Sequence, residues 1–217
     1  MRLLVLINIS NYKHISFDLD GTIIDSTEAM RSAWNLVRVK FKIKNSFNEY
    51  LKSTGKPFAS ILKSMQIHDP LGDIEKVYFD ATSHNYEAIS LIDGVVDLVE
   101  KLEGSGLSWS IITSKPRRNT IPLLDKFNLR PHYLVCGDDF QSVKPNPYPM
   151  RKVIKELNIA SDAKIAYLGD TISDFIFSIN ANVDYIHVNY GVHGPIGEKI
   201  FPKPMSIDSL RSIVLSE

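Results

Sequence analysis

Phe17-Asp18-Leu19-Asp20-Gly21-Thr22 closes a short apolar run near the start of the chain. Ile15 to Phe17 reads as a brief buried strand, and Gly21 breaks it at once. Carboxylates packed this tightly repel each other unless a cation or a proton lies between them. One carboxylate placed to attack and a second placed to handle protons, both beside a metal, form an arrangement for moving a phosphoryl group through an acyl-phosphate. Taken alone, Asp-Gly-Thr after a strand is a turn signal. The rest of the chain decides between the two readings.

Downstream, Met30, Ala33, Trp34, Val37 and Phe41 recur at helical spacing and form one apolar stripe. Phe47, Tyr50 and Leu51 predict a second helix, interrupted by Gly55 and Pro57. Phe58 to Met65 predicts a third, and Ile74 to Ala81 a fourth. Residues 27–90 therefore read as a helical block with no strand signal. Beyond Asp93-Gly94, Val95 to Leu102 predicts a helix stopped by Gly104 and Gly106. Strands are expected at Trp109–Thr113, Tyr133–Cys136, Ile165–Leu168 and, as the last one, Tyr185–Val188. Helices fall between them, at Thr120–Phe127, from Pro147 to Leu157 and at Ile172–Ile179. Strands alternating with helices argue for an α/β fold with a Rossmann-like parallel sheet and right-handed crossovers. The helical block interrupts that pattern directly after the first strand. The expected division is a core of residues 14–26 and 91–217, an inserted helical block of 27–90, and an N-terminal extension or extra strand in 1–13.

In open α/β sheets the ligand site lies beyond the carboxyl ends of the strands, and four strand ends carry suggestive groups. They are Asp18 and Asp20; Thr113-Ser114-Lys115; Lys144-Pro145, just before a helix start; and Gly169-Asp170-Thr171, with Asp174 one turn on.

Composition narrows the rest. Among 217 residues, 25 basic and 25 acidic side chains cancel, which leaves no electrostatic footprint for nucleic acid or an anionic membrane. Lys40, Lys42 and Lys44 read as a solvated edge, and Lys115, Arg117 and Arg118 as a solvated face, with help in phosphate binding as their other reading. A single cysteine, Cys136, excludes an internal disulfide and reads as a small buried residue suited to a reducing compartment. The apolar run Leu3 to Ile9 lacks the core and cleavage site of a secretory signal, and nothing reaches membrane-spanning length. A soluble cytoplasmic protein is expected. Trp34, His68, His84, His187 and His193 form no metal-ligand spacing. Gly191, Gly194 and Gly197 have the wrong spacing for a dinucleotide loop.

The four groups, in this order, resemble the motifs of the haloacid dehalogenase superfamily of phosphatases. Among these, the inserted helical cap resembles the phosphoglycolate phosphatase and β-phosphoglucomutase-like subfamily. Asp18-Leu19-Asp20-Gly21-Thr22 is similar to the first motif, Thr113 to the second, Lys144 to the third, and Gly169 to Asp174 to the fourth. The resemblance runs from about residue 14 to at least 191. It implies Asp18 as nucleophile and Asp20 as the acid and base that serves the leaving oxygen and then the water. It implies phosphate binding by Thr113, the Ser114 amide and Lys144. It further implies Mg²⁺ held by Asp18, Asp170 and the Asp20 carbonyl, with Asp174 orienting its water shell or Lys144. Ser53-Thr54-Gly55-Lys56-Pro57 resembles the cap loop that closes over the site, with Gly55 allowing close approach and Lys56 meeting an anionic substrate; a plain helix-breaking turn is the other reading. The partner implied is a small phosphorylated metabolite, and the chain is expected as a monomer or homodimer. Two departures stand out: Phe175 to Asn182 lacks the small residues usual in that helix, and the N-terminus is longer. A sugar-phosphate mutase and a catalytically silent binding protein are the alternatives. Asp20 disfavours a true dehalogenase, and the inserted helical block disfavours a receiver domain.

Overall fold

The computed structural model describes residues 6–195 and 204–215. In chain order the strands are β1 (Ile7–Asn8), β2 (His14–Phe17), β3 (Ile24–Asp25), β4 (Ser90–Leu91), β5 (Ser108–Ile112), β6 (Tyr133–Val135), β7 (Ile165–Gly169), β8 (Asp184–Val188), β9 (Met205–Ile207) and β10 (Ile213–Val214). The α-helices are α1 (Thr27–Phe41), α2 (Phe47–Leu51), α3 (Phe58–Ser64), α4 (Asp73–Ser83), α5 (Val95–Gly104), α6 (Arg117–Lys126), α7 (Tyr148–Glu156) and α8 (Ile172–Ala181).

Six strands form a parallel sheet in the order β6-β5-β2-β7-β8-β9. All four residues of β2 are buried, as expected for a central strand covered on both faces. Side chains alternate between two apolar layers. Ile15, Phe17, Trp109, Ile111, Ala166, Leu168, Ile186 and Val188 enter one layer. Ile112, Ile165, Tyr167 and Tyr185 enter the other, with Met150 and Val153 of α7 and Phe175 and Phe177 of α8. The second layer also holds a polar seam, in which His14 bonds the hydroxyls of Ser108, Ser16 and Ser110 at 2.7–3.0 Å.

Helices α1 to α4 have a core of their own, in which Trp34 is fully buried and stacks on Tyr50 at 4.5 Å between ring centres. The chain enters this block through β3 and leaves it through β4, and the two pair antiparallel with Ile24 opposite Leu91. The reading of 27–90 as free of strand thus needs correcting at its last residue; β4 is too short to give a periodic signal. Val188 does not end the last strand either. β9 adds an edge to the sheet, and β10 pairs with β1. These strands span two or three residues, below what alternation reveals. Of the N-terminal apolar run, Ile7 and Asn8 form β1, while residues 3–5 lie outside the described part.

Lys40, Lys42 and Lys44 are exposed, and Cys136 is buried. No helix among the described residues is long and apolar enough to cross a membrane.

Candidate active site

Register sets the site. Phe17 lies opposite both Ile111 and Leu168, so the residues that follow these three strands emerge together at one edge of the sheet. Asp18 extends the ladder by one bond, its N–H donating to Leu168 O at 2.8 Å. Leu19 turns into the core, and its carbonyl accepts from Thr22, Ile23 and Ile24. Asp18 and Asp20, on either side of the bend at Leu19, both line the same cavity. None of the turn's backbone hydrogen bonds uses the Asp20 carbonyl. Gly21 sits at φ +81°, and a Cβ there would lie 2.5 Å from Asp170 Oδ2. Both the backbone and the space require glycine.

Lys144 is 2 % exposed, and its three protons are all used. Its Nζ donates to Asp18 Oδ1 at 2.6 Å, Asp174 Oδ1 at 2.8 Å and the Tyr167 hydroxyl at 2.9 Å. Burial opposes its charge, but Asp174 and Asp18 outweigh burial and hold the ammonium above its usual range. Asp18 shares that ammonium with Asp174. Burial therefore dominates and pushes its carboxyl up to about 7, against the pull of Lys144.

Asp174 is fully buried, although it stands in the first turn of a helix. It closes a capping box on α8. Its N–H donates to Thr171 Oγ1 at 3.2 Å, and its Oδ2 accepts from Thr171 N at 3.1 Å and from the Thr171 hydroxyl. Both Asp174 oxygens are thus occupied by protein donors. Ser178 and Asn180, which replace the small residues expected in α8, have partners. Ser178 bonds Asp174 O, and Asn180 donates to Pro145 O beside Lys144.

Asp170 has no solvent exposure. Its Oδ2 accepts from Val192 N at 2.8 Å, whereas its Oδ1 is buried with no hydrogen-bond partner. Burial, then the charges of Asp174 and Asp18, drive its carboxyl well above the usual range. One oxygen each of Asp18, Asp170 and Asp174 lie within 4.8 Å of one another. Four carboxyl groups (Asp18, Asp20, Asp170 and Asp174) face only two ammonium groups, those of Lys144 and Lys115, so full ionisation of the four needs a further cation. An oxygen-lined, under-neutralised site with an orphaned carboxylate oxygen fits a hard divalent cation. Asp18 and Asp170 have oxygens to offer it, and Asp174 has none to spare.

Thr113 is 4 % exposed, and its Oγ1 accepts from Lys115 N at 3.1 Å, leaving its proton for another acceptor. The Ser114 hydroxyl is buried without a partner. Gly137 packs on the Ser114 carbonyl, where a Cβ would come within 2.7 Å of the Ser114 C. Lys115 does not lie on a solvated face. It is 8 % exposed and pairs with Asp20 Oδ1 at 3.1 Å. The expectation failed because local sequence shows a cation among cations, while its partner comes from a distant strand end. Arg117 and Arg118 are exposed and pair with Asp139 and Asp80.

The α1–α4 block closes the site from above. A cavity of about 70 Å³ is bounded below by Asp18, Asp20, Thr113 and Asp170, and above by Met30, Tyr50, Phe58 and Tyr78. Gly55, in the α2–α3 loop, lies against Thr171. Lys56 is exposed and borders both this cavity and a larger outer groove of about 830 Å³. Thr54 bonds His193 at 3.0 Å, which ties the same loop to the segment after β8. His187 is buried against Tyr185 and Gly194 O, and the exposed His84 bonds its own helix. Sequence reading also missed Tyr167, which fell only inside an expected strand, and Ser26, which it did not single out.

The family model of the haloacid dehalogenase-like hydrolases matches residues 15–188. A phosphoglycolate phosphatase of Pseudomonas fluorescens is 28% identical over 214 residues, covering 92% of this chain and 78% of that protein. The pyrophosphatase PpaX of Halalkalibacterium halodurans is 27% identical, covering 83% of this chain and 85% of its own. The crystal structure of a hydrolase from Pseudomonas syringae superposes with a TM-score of 0.81 at 22% identity, covering 93% of this chain and 95% of that one. The chain belongs to the haloacid dehalogenase-like hydrolases, in the phosphatase branch of that superfamily.

Proposed function

We propose that the protein hydrolyses a small phosphate monoester of the phosphoglycolate type, with Mg²⁺, through an aspartyl-phosphate on Asp18. The observation that carries this reading is the bridging of Asp18 and Asp174 by Lys144 beside the unpartnered oxygen of Asp170. That set neutralises part of the charge on the nucleophile and leaves a place for a divalent cation.

Asp18 attacks phosphorus with a carboxylate oxygen, and the bond from phosphorus to the ester oxygen breaks as the new one forms. Asp20 gives its proton to the departing oxygen. A water then attacks phosphorus, Asp20 takes its proton, and the acyl-phosphate bond breaks to return Asp18 and free phosphate. Thr113 has a proton for the phosphoryl oxygens, the Ser114 hydroxyl and amide add donors, and Lys144 offsets their charge. Asp18, Asp170 and the Asp20 carbonyl hold the metal, with Asp174 fixing Lys144 rather than binding the ion. Bound Mg²⁺ supplies Lewis-acid neutralisation of the phosphoryl charge. Residues 27–90 act as the cap, and Gly55 and Lys56 present its loop to the substrate. A cavity of about 70 Å³ suits a phosphoryl group on a body of a few atoms. The absence of any ion pair to Lys56 among the described residues leaves its charge for an anionic group. The buried free cysteine suits a reducing, cytoplasmic setting.

The test is phosphate release from p-nitrophenyl phosphate and phosphoglycolate. EDTA should abolish turnover and Mg²⁺ restore it, and Asp18→Asn should remove it in a protein with unchanged circular dichroism. Full turnover in metal-free buffer, or in Asp18→Asn, overturns the mechanism.

A further inference from the structure

Asp20 has two jobs in the proposed reaction, and each needs one particular oxygen aimed at the reacting atoms. A carboxyl group left to itself turns about its Cβ–Cγ bond and presents either oxygen. Here only one is engaged. Oδ1 takes the Lys115 ammonium at 3.1 Å and the Ser26 hydroxyl at 2.5 Å, and no described residue hydrogen-bonds Oδ2.

Both donors are built for the purpose. Lys115 is held at both ends of its own backbone unit, its N–H on Thr113 Oγ1 at 3.1 Å and its carbonyl accepting from Gly137 N at 2.9 Å. Its side chain is 7 % exposed, and Asp20 is the only carboxylate that pairs with it among the described residues. A buried ammonium needs a partner, and this one is committed to Asp20 rather than left for the phosphoryl group. Ser26 is the N-cap residue of the fifteen-residue α1, yet its side chain makes no capping bond. A serine at an N-cap ordinarily accepts from the first turn; this one donates to Asp20 instead.

We propose that Lys115 is a positioning residue for Asp20: together with Ser26 it pins Oδ1 and leaves Oδ2 to meet the leaving oxygen and then the water. The inference rests on the reading of Asp20 as the acid and base of a phosphatase.

Acid help matters most when the leaving group is poor, which separates positioning from binding. Wild type, Lys115→Met, Lys115→Arg, Ser26→Ala and Asp20→Asn are compared on p-nitrophenyl phosphate and glycerol 2-phosphate, with thermal melts as a check on folding. Lys115→Met should lower kcat/KM, which reads the steps through phosphorylation of Asp18 and not the shared hydrolysis, at least about tenfold more on glycerol 2-phosphate than on the aryl ester, with neither KM raised more than about twofold. Lys115→Arg should recover part of the loss, and Ser26→Ala should show the same split in milder form. Equal losses on both esters, or a raised KM with kcat kept, would overturn the inference and make Lys115 a substrate-binding group. If Lys115→Met fails to fold, Ser26→Ala and Lys115→Arg decide by the same criterion. Asp20→Asn is the separate control. A split there without one in the Lys115 and Ser26 variants sinks only the inference, whereas no split in Asp20→Asn removes Asp20 as the acid and the inference with it.

Discussion

Gly55 in the α2–α3 loop touches Thr171, the residue that opens α8. A Cβ built on Gly55 would lie 2.7 Å from the Thr171 Cβ, and Gly55 itself sits at φ +84°. The loop from the helical block therefore rests on the residue between Asp170 and the capping box of Asp174.

Gly55→Ala adds a methyl group where there is no space, in a backbone conformation that costs an L-residue about 1–2 kcal/mol. The loop should lift away from the core, and kcat/KM should fall about tenfold or more. Urea unfolding should change by less than about 1 kcal/mol, because the strain is relieved by opening. Wild-type kinetics for Gly55→Ala would show that the contact has no part in turnover.

Lys144→Met leaves Asp18 and Asp174 buried without their shared cation. Breaking a buried pair of this kind costs about 3–5 kcal/mol, and loss of the charge opposite the phosphoryl group should lower kcat by about 10²–10³. Denaturant melts and steady-state rates test both halves. A variant as stable as wild type would contradict the bonding described for Lys144.

His14 gives a pH dependence remote from the site. Burial, aided by His132, lowers its pKa from 6.5 to about 4. The unfolded chain therefore binds a proton first, so stability is full above about 6.5 and declines as pH falls toward 4. The decline should reach about 2 kcal/mol by about pH 5. His14→Gln, which cannot titrate, should show a shallower acid slope in urea melts between pH 7 and pH 5. Parallel slopes would remove His14 as the source.

Lys56→Ala should raise KM for phosphoglycolate about two- to fivefold, the worth of about one exposed charge contact. p-Nitrophenyl phosphate and glucose phosphates, which carry no second charge, should be little affected. Equal losses across all three would take Lys56 out of substrate selection.

The parallel sheet was legible because β2, β5, β7 and β8 are short apolar runs separated by helical periodicity, a pattern that depends on local sequence alone. β9 and β10 were not, since two or three residues carry no period. In the site, Asp18, Asp20, Thr113 and Asp170 follow strand ends, where position in the chain foretells position in space, while Lys144 stands in the loop ahead of α7 and Asp174 in the first turn of α8. The burial of Asp174 also had a visible sign, Thr171-x-x-Asp174 ahead of an apolar helix. Lys115, Tyr167 and Ser26 had none. Lys115 stands among arginines and Tyr167 among strand apolars, while Ser26 occupies an ordinary N-cap position. What each does is set by a partner from another strand end or the turn before α1, which no local window contains.

The pairing of Ile24 with Leu91 brings the exit and return of the chain side by side, about 5 Å apart in such a ladder. To the sheet, the sixty-odd residues between them amount to a closed loop whose ends meet at one place, with further ties to the core through Thr54 on His193 and Asn119 on Phe79 O. Any segment whose two ends meet across that gap leaves the order and register of the six strands unchanged. Exchange of the helical block beyond Ser26 is thus a two-junction graft: the strand ends would keep their chemistry, and the range of molecules admitted to them would be rewritten from outside the sheet.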